Sequence, residues 1–169
     1  MILLSELMKN EDVSEEYEKA FWLKQFGYIC KKMDSDIKFK ARILHLYKES
    51  YNESATTKSI VKKETGHIPD DKYTQIISKW MKAHLRKKNS RNGIPFEIKK
   101  ELFKKQKGKC VICKCALGDN WSKIHVDHIV PWDLVGDELD DNFQDLCEKC
   151  NEEKNANTNY IFLKMVGLK

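Results

Sequence analysis

Cys110-Val-Ile-Cys113 and Cys147-Glu-Lys-Cys150 enclose the stretch Ile124-His-Val-Asp-His-Ile-Val-Pro131, and the reading of these three segments together decides the fold of the C-terminal half. Each Cys-x2-Cys pair is a knuckle that presents two thiolates, so the two together make a four-cysteine tetrahedral site, with Zn–S bonds of about 2.3 Å. A redox role for the pairs would need a thioredoxin-like βαβ context, which the sequence does not supply. A plain zinc ribbon separates its knuckles by roughly 15–20 residues. Here 33 residues lie between Cys113 and Cys147, so a further element is inserted there. Zinc is then the staple of a module too small to hold itself together. Of the six cysteines, Cys115 and Cys30 are left over. Cys115 is close enough to compete as a ligand, although the spacing favours Cys110 and Cys113, and Cys30 reads as a buried thiol.

Ile124 to Pro131 is an apolar-flanked strand that runs into a turn, and it sets a carboxylate beside an imidazole. Neighbours on an extended chain point to opposite faces, so Asp127 and His128 can serve different partners, one a metal and the other a water. Asp141-Asn-Phe-Gln-Asp-Leu-Cys147 is a second strand, and Cys150-Asn-Glu-Glu-Lys154 opens a short helix.

With those residues in order, the segment from Cys110 to Lys154 resembles the HNH (ββα-metal) endonuclease family: a Cys-x2-Cys knuckle, an Asp-His-Ile-x-Pro strand, a central Asn, and a closing Leu-Cys-x2-Cys followed by Asn and Lys. His128, Asn142 and Asn151 stand at intervals of 14 and 9. The resemblance covers roughly residues 93–160 and does not reach the N-terminal region. It implies a phosphodiesterase acting on double-stranded DNA, with His128 as general base, Asp127 and Asn151 holding one catalytic metal, and Asn142 orienting the loop that bears His128. Many members have His where this chain has Asn151. Two oxygen donors at that place favour Mg2+ or Mn2+ over softer ions. Lys154 matches the family's Lys and reads equally as a phosphate contact or a solvated side chain. His125 reads as a packing residue and Trp132 as core.

Charge is unevenly spread along the 169 residues. Residues 1–30 carry a net −3, residues 31–92 a net +9 and residues 93–169 a net −1. A basic middle is the footprint expected of a nucleic-acid contact, because neutralised phosphates release counterions; a solvated lysine-rich surface is the alternative. Helices are predicted over Glu15–Met33, with Ser14 as N-cap, and over Asp36 to about Asn52. A short helix near Thr57–Thr65, a Gly66-His-Ile-Pro69 turn and a longer helix over Asp70–Lys88 fit either a helix-turn-helix or a plain helical bundle. In the first reading Lys79, Lys82, Arg86, Lys87, Lys88 and Arg91 meet phosphates; in the second, Tyr73, Ile77 and Trp80 are simply core. His45, His67 and His84 have no ligand-like spacing and read as structural. Asn89 to Pro95 is the linker, and Phe96–Lys107 is helical, ended by Gly108.

The expected architecture is α+β, with a helical, basic DNA-recognition domain over 1–92 and a zinc-stapled nuclease domain over 93–169. No apolar run approaches the ~18 residues of a membrane span, and Ile2-Leu3-Leu4 is too short for a signal-peptide core, so a cytoplasmic protein is expected. A site-specific restriction or phage-defence nuclease is the leading reading, with a homing or phage-encoded nickase next and a non-catalytic DNA-binding module last. One such site cuts one strand, so double-strand cleavage of a palindrome would require a homodimer.

Overall fold

A computed structural model describes residues 11–88 and 90–154; the Ile2-Leu3-Leu4 stretch and residues 155–169 lie outside them. Four helices come first: α1 (Glu11–Ser35), α2 (Ile37–Lys48), α3 (Glu53–Thr65) and α4 (Asp71–Arg86). The starts of α2, α3 and α4 are fixed by side-chain caps. Asp36 accepts from the Lys38 and Phe39 amides, Asn52 from Ala55, and Asp70 from Tyr73. Each cap satisfies an amide that the first turn leaves without an intrahelical partner. Ser14 lies inside α1 rather than capping it. Gly66, with φ 77°, closes α3 in the left-handed conformation.

The helices bury Trp22, Phe26, Ile29, Met33, Phe39, Ile43, Ile60, Val61, Tyr73, Ile77, Trp80 and Met81 in one core. Helix α4 is the central one. Tyr73, Thr74, Ile77, Ser78, Trp80, Met81, Ala83 and His84 are all buried, which leaves a narrow outer strip of Lys72, Gln75, Lys79, Lys82 and Arg86. The packing is that of a small helical bundle, and the order α3, Gly66–Pro69 turn, α4 is the one either arrangement needs.

The second half comprises α5 (Phe96–Lys105), a 3-10 turn (Trp121–Lys123), β1 (Ile124–His128), α6 (Trp132–Val135), β2 (Phe143–Cys147) and α7 (Glu148–Lys154). Strands β1 and β2 pair antiparallel, with Asp127 opposite Gln144 and His128 opposite Phe143, and α7 packs across both. This is the ββα unit expected. Gly108, with φ 64°, turns the chain out of α5 so tightly that a Cβ there would lie 3.0 Å from the Phe103 ring. A small core of Cys110, Leu117, Ile124, Leu146 and Cys150 sits beneath, flanked by Phe103 and Trp121.

The two cores are not separate in sequence. Val130, Leu134 and Val135, which follow directly on β1, are buried in the helical core rather than in the small one. The buried His84 ring on α4 bonds through Nδ1 to the Leu134 carbonyl at 2.6 Å, and Lys87 Nζ donates to the Asp133 carbonyl at 2.8 Å. Gly136 then adopts φ 62°, and a Cβ on it would stand 3.1 Å from Cβ of Lys87. The short α6, which periodicity did not reveal, is thus the piece of the ββα half that docks on the bundle.

Candidate metal and nuclease site

The sulfurs of Cys110, Cys113, Cys147 and Cys150 all lie within 4.8 Å of one another, and those of Cys113 and Cys147 are 3.7 Å apart. Four thiolates at ~2.3 Å from a tetrahedral centre stand about 3.8 Å from each other. The cluster is therefore compatible with a structural zinc ion. Knuckle geometry follows from the backbone: the Lys114 amide donates to the Cys110 carbonyl, and the Cys110 amide to the Cys115 carbonyl, each at 2.9 Å. Burial pushes the Cys113 thiol up, but donation from the Cys115 amide and from the thiols of Cys115, Cys150 and Cys110 outweighs it and holds the group at about 6. Cys115 is exposed at the edge of the cluster, and Cys30 is fully buried in the helical core, as expected for a thiol without chemistry.

On β1, Asp127 and His128 diverge as strand geometry requires. Oδ2 of Asp127 accepts from Lys154 Nζ at 2.5 Å and lies 3.4 Å from Gln144 Nε2. His128 faces the other way, its ring centroid 4.9 Å from that of Phe143 and its Nε2 3.5 Å from Oδ1 of Asp137. The imidazole is 3% exposed. Burial first, and then the positive charge of Arg91, lower its pKa from the ordinary 6.5, against the pull of Asp137 and Asp127. The neutral ring, which can accept a proton, is thereby favoured.

Asn142 is buried where β2 is about to begin, and its side-chain amide grips Val130 from both sides. Oδ1 accepts from the Val130 amide at 2.8 Å, and Nδ2 donates to the Val130 carbonyl at 2.9 Å. Its own carbonyl accepts from the Ile129 amide at 3.0 Å. The two residues after His128 are thus tied to the second strand. Asn142→Ala leaves both polar groups of Val130 buried and unpartnered, and at ~1–3 kcal/mol for each such group the loss is about 2–6 kcal/mol. Urea unfolding measures it; a change below about 0.5 kcal/mol would show that the loop is held by other means.

Lys154 and Lys87 are placed otherwise than the sequence suggested. Lys154 is 4% exposed, with Nζ shared between Asp127 and the His128 carbonyl at 2.8 Å, so it is neither solvated nor in reach of a phosphate. Lys87 Nζ is held by Asp34 at 3.0 Å and by the Asp133 carbonyl, and it bolts the bundle to α6. Among the other basic candidates Lys79, Arg86, Lys88 and Arg91 are exposed, and Lys82, half-buried, pairs with Glu53 at 2.7 Å. Asn151 is half-buried on α7, the helix that packs on the strand carrying Asp127. The oxygen donors of Asp127 and Asn151 are chemically suited to a hard divalent ion, and Asp127 already holds a cation in the form of Lys154.

Sequence reasoning missed Asp137. Its carboxylate accepts from the Asn92 amide at 2.8 Å and from the Trp132 indole at 3.1 Å, while standing beside His128. Burial alone would raise its pKa, but these donors and His128 lower it overall, so it stays charged. Trp132 is accordingly half-buried rather than core, and Arg91 lies over its ring at 5.9 Å. No motif marks Asp137; the indication was only its place in the loop after the Asp-His strand. Asp137 and Phe143 also line a groove of about 570 Å³ between α5 and the turn before β2. Glu101, Asp137, Asp140 and Asp141, against Lys105, make its lining acidic on balance, which disfavours a phosphodiester there.

Asp145, at the centre of β2, organises the small core through its backbone. It donates to Gln106 Oε1 at 2.8 Å, and its carbonyl accepts from Gln106 Nε2 at 2.9 Å. Its carboxylate is fully buried with neither oxygen hydrogen-bonded, and burial, opposed by Lys99, lifts its pKa from 3.8 to about 6. The folded state then binds a proton more tightly than the unfolded one, so stability falls as pH rises from 3.8 through about 6. Asp145→Asn is expected to stabilise by up to ~3 kcal/mol above that window and by nothing below it. Thermal melts of both proteins at about pH 4 and about pH 7.5 test the sign; equal melting temperatures at both would refute it.

Among the described residues no helix is long and apolar enough to cross a membrane. No curated protein and no solved structure matches the chain. The family model for HNH endonuclease matches residues 110–157, which run from the first knuckle past the end of α7, so this segment is similar to an HNH endonuclease domain.

Proposed function

We propose that this protein is a metal-dependent DNA endonuclease, a site-specific restriction or phage-defence enzyme. One observation carries the reading: within the matched segment, His128 and Asp127 stand back to back on one strand whose exit is clamped by Asn142. His128 takes the proton from the attacking water, as a neutral imidazole can. Asp127 and the amide oxygen of Asn151 are the residues that would hold the ion, Mg2+ or Mn2+. When bound, the ion supplies charge stabilisation to the phosphate and the leaving oxygen. Asp137 orients the imidazole from the far side. Lys154 braces Asp127 against the His128 carbonyl, so that the carboxylate and the base keep a fixed relation.

The domain division at residue 93 and the recognition role of the helical half belong to the same proposal. Lys79, Lys82 and Arg86 run along the outer strip of α4, and with Lys88 and Arg91 in the connection they supply phosphate contacts leading to His128. The rival reading, a DNA-binding module without catalysis, draws on the Lys154 ammonium already resting on Asp127. Digestion of a sequenced phage genome in Mg2+, followed by sequencing of the ends, separates the possibilities. Discrete ends support a site-specific enzyme and scattered nicks a non-specific nuclease. Intact DNA supports the module.

A further inference from the structure

Helix α2 is built unlike its neighbours. Its twelve residues include Lys38, Lys40, Arg42 and Lys48, with His45, and not one carboxylate. Phe39 and Ile43 alone are buried. Eight of the twelve residues are exposed, whereas α4, with sixteen, exposes five. At 100° per residue, Ala41, His45 and Lys48 fall at the apex opposite Phe39 and Ile43. Lys38 and Arg42 form one shoulder, and Ile37 and Leu44 the other.

The exposed aliphatics are as telling as the charges. Ile37 is 82% exposed and Leu44 40%, and Tyr51, just beyond the helix, is fully exposed. A helix needing only solvation would carry polar groups there. Nor are the cations consumed by the fold: among the described residues Lys38, Lys40 and Lys48 make no ion pair, and Arg42 alone is anchored, 3.6 Å from Glu64 and over the Phe39 ring. A 12-residue helix is about 18 Å long, and one with most of its circumference bare fits a major groove about 12 Å wide. There cations meet the flanking phosphates, and aliphatic side chains meet thymine methyl groups.

We propose that α2, and not α4, is the helix that enters the major groove of a DNA duplex, with Ala41 and His45 facing base edges, Lys38 on the shoulder facing one phosphate backbone, and Lys48, the last residue of the helix, facing phosphates from its end. The polyanion is taken to be duplex DNA on the strength of the nuclease reading above. The α4 strip is left with sequence-independent phosphate contact.

The test is binding of the full-length, zinc-loaded protein to a labelled duplex in buffer without Mg2+ or Mn2+, so that cleavage plays no part. Lys38→Gln/Lys48→Gln is expected to weaken binding at least tenfold at physiological salt. It should also reduce the slope of log K against log salt by about 2, at ~0.9 per lost phosphate contact. Ala41→Glu, which places a carboxylate at the apex, should weaken binding further, and Lys79→Gln should do so less than either. All are surface positions, and unchanged thermal melts confirm folding. Wild-type affinity and slope in both α2 variants would overturn the proposal. So would Ala41→Glu converting a dimer to a monomer with DNA affinity intact, since α2 would then be a chain–chain contact. Failure of the wild-type protein to bind any duplex would instead remove the nuclease reading on which the proposal rests.

Discussion

His128→Ala is expected to reduce DNA cleavage in saturating Mg2+ by at least about 10²–10⁴-fold, the usual contribution of a positioned general base, while leaving duplex affinity within about twofold. The reasoning starts from the strand. β1 sends Asp127 and His128 to opposite faces, so deletion of the imidazole removes the base without touching the carboxylate or its contact with Lys154. Fold loss does not explain the expected effect, because the loop beyond His128 is held by Asn142 and by the docking of Val130 and Leu134. His128→Asn, a smaller polar replacement, should be equally inactive. Burial and Arg91 lower the pKa of His128, so the acid limb of the wild-type pH profile should lie below the ordinary histidine value of 6.5 and vanish from the residual activity of the variants. Single-turnover cleavage of a plasmid across pH gives the rates and the profile, and duplex binding without Mg2+ gives the affinity. An undiminished rate in His128→Ala would end the assignment.

Zinc removal is the second large effect. Among the described residues, the buried core beneath the ββα half is Leu117, Ile124 and Leu146 together with Cys110 and Cys150, which belong to the knuckles themselves. So few side chains cannot offset the conformational entropy of the residues they order. Zinc binding in comparable small modules contributes on the order of 10 kcal/mol to folding. Chelation, or Cys147→Ser, should therefore unfold β1, β2 and α7 together. The helical bundle, with fifteen buried core residues of its own among those described, should persist, although it gains exposed surface where Val130, Leu134 and Val135 had docked. Far-ultraviolet circular dichroism should retain most of its helical signal while Trp121 fluorescence shifts to the red. Zinc should leave in a ratio of one per chain. Retention of stoichiometric zinc and an unchanged melt in Cys147→Ser would place the ion elsewhere.

The parts of this site that could be read from sequence are those fixed by local chemistry. The knuckles, the Asp-His strand and Asn142 depend on residue type at short spacing, and the helix caps at Asp36, Asn52 and Asp70 depend on three or four neighbours. What was hidden depends on a third body. Periodicity shows which face of α4 is apolar but not that a second face is also covered. For the same reason it shows an amphipathic α2 but not that most of it stays bare. Lys154 looks like any exposed lysine until α7 lies across β1 and turns the ammonium onto Asp127. Asp137 acquires meaning only when the Asn92 amide, from the connection after the bundle, reaches it. The docking of Val130, Leu134 and Val135 has the same character: an apolar turn after a strand is ambiguous until its partner core is known.

The most direct measurement is relaxation of supercoiled plasmid by the zinc-loaded protein, with zinc as the sole metal and then with Mg2+ or Mn2+ added. Intact plasmid with zinc alone, and nicked or linear DNA carrying 5′-phosphate ends once the second metal is present, is the predicted result. Plasmid that stays supercoiled in every metal while the protein binds it tightly would contradict the account.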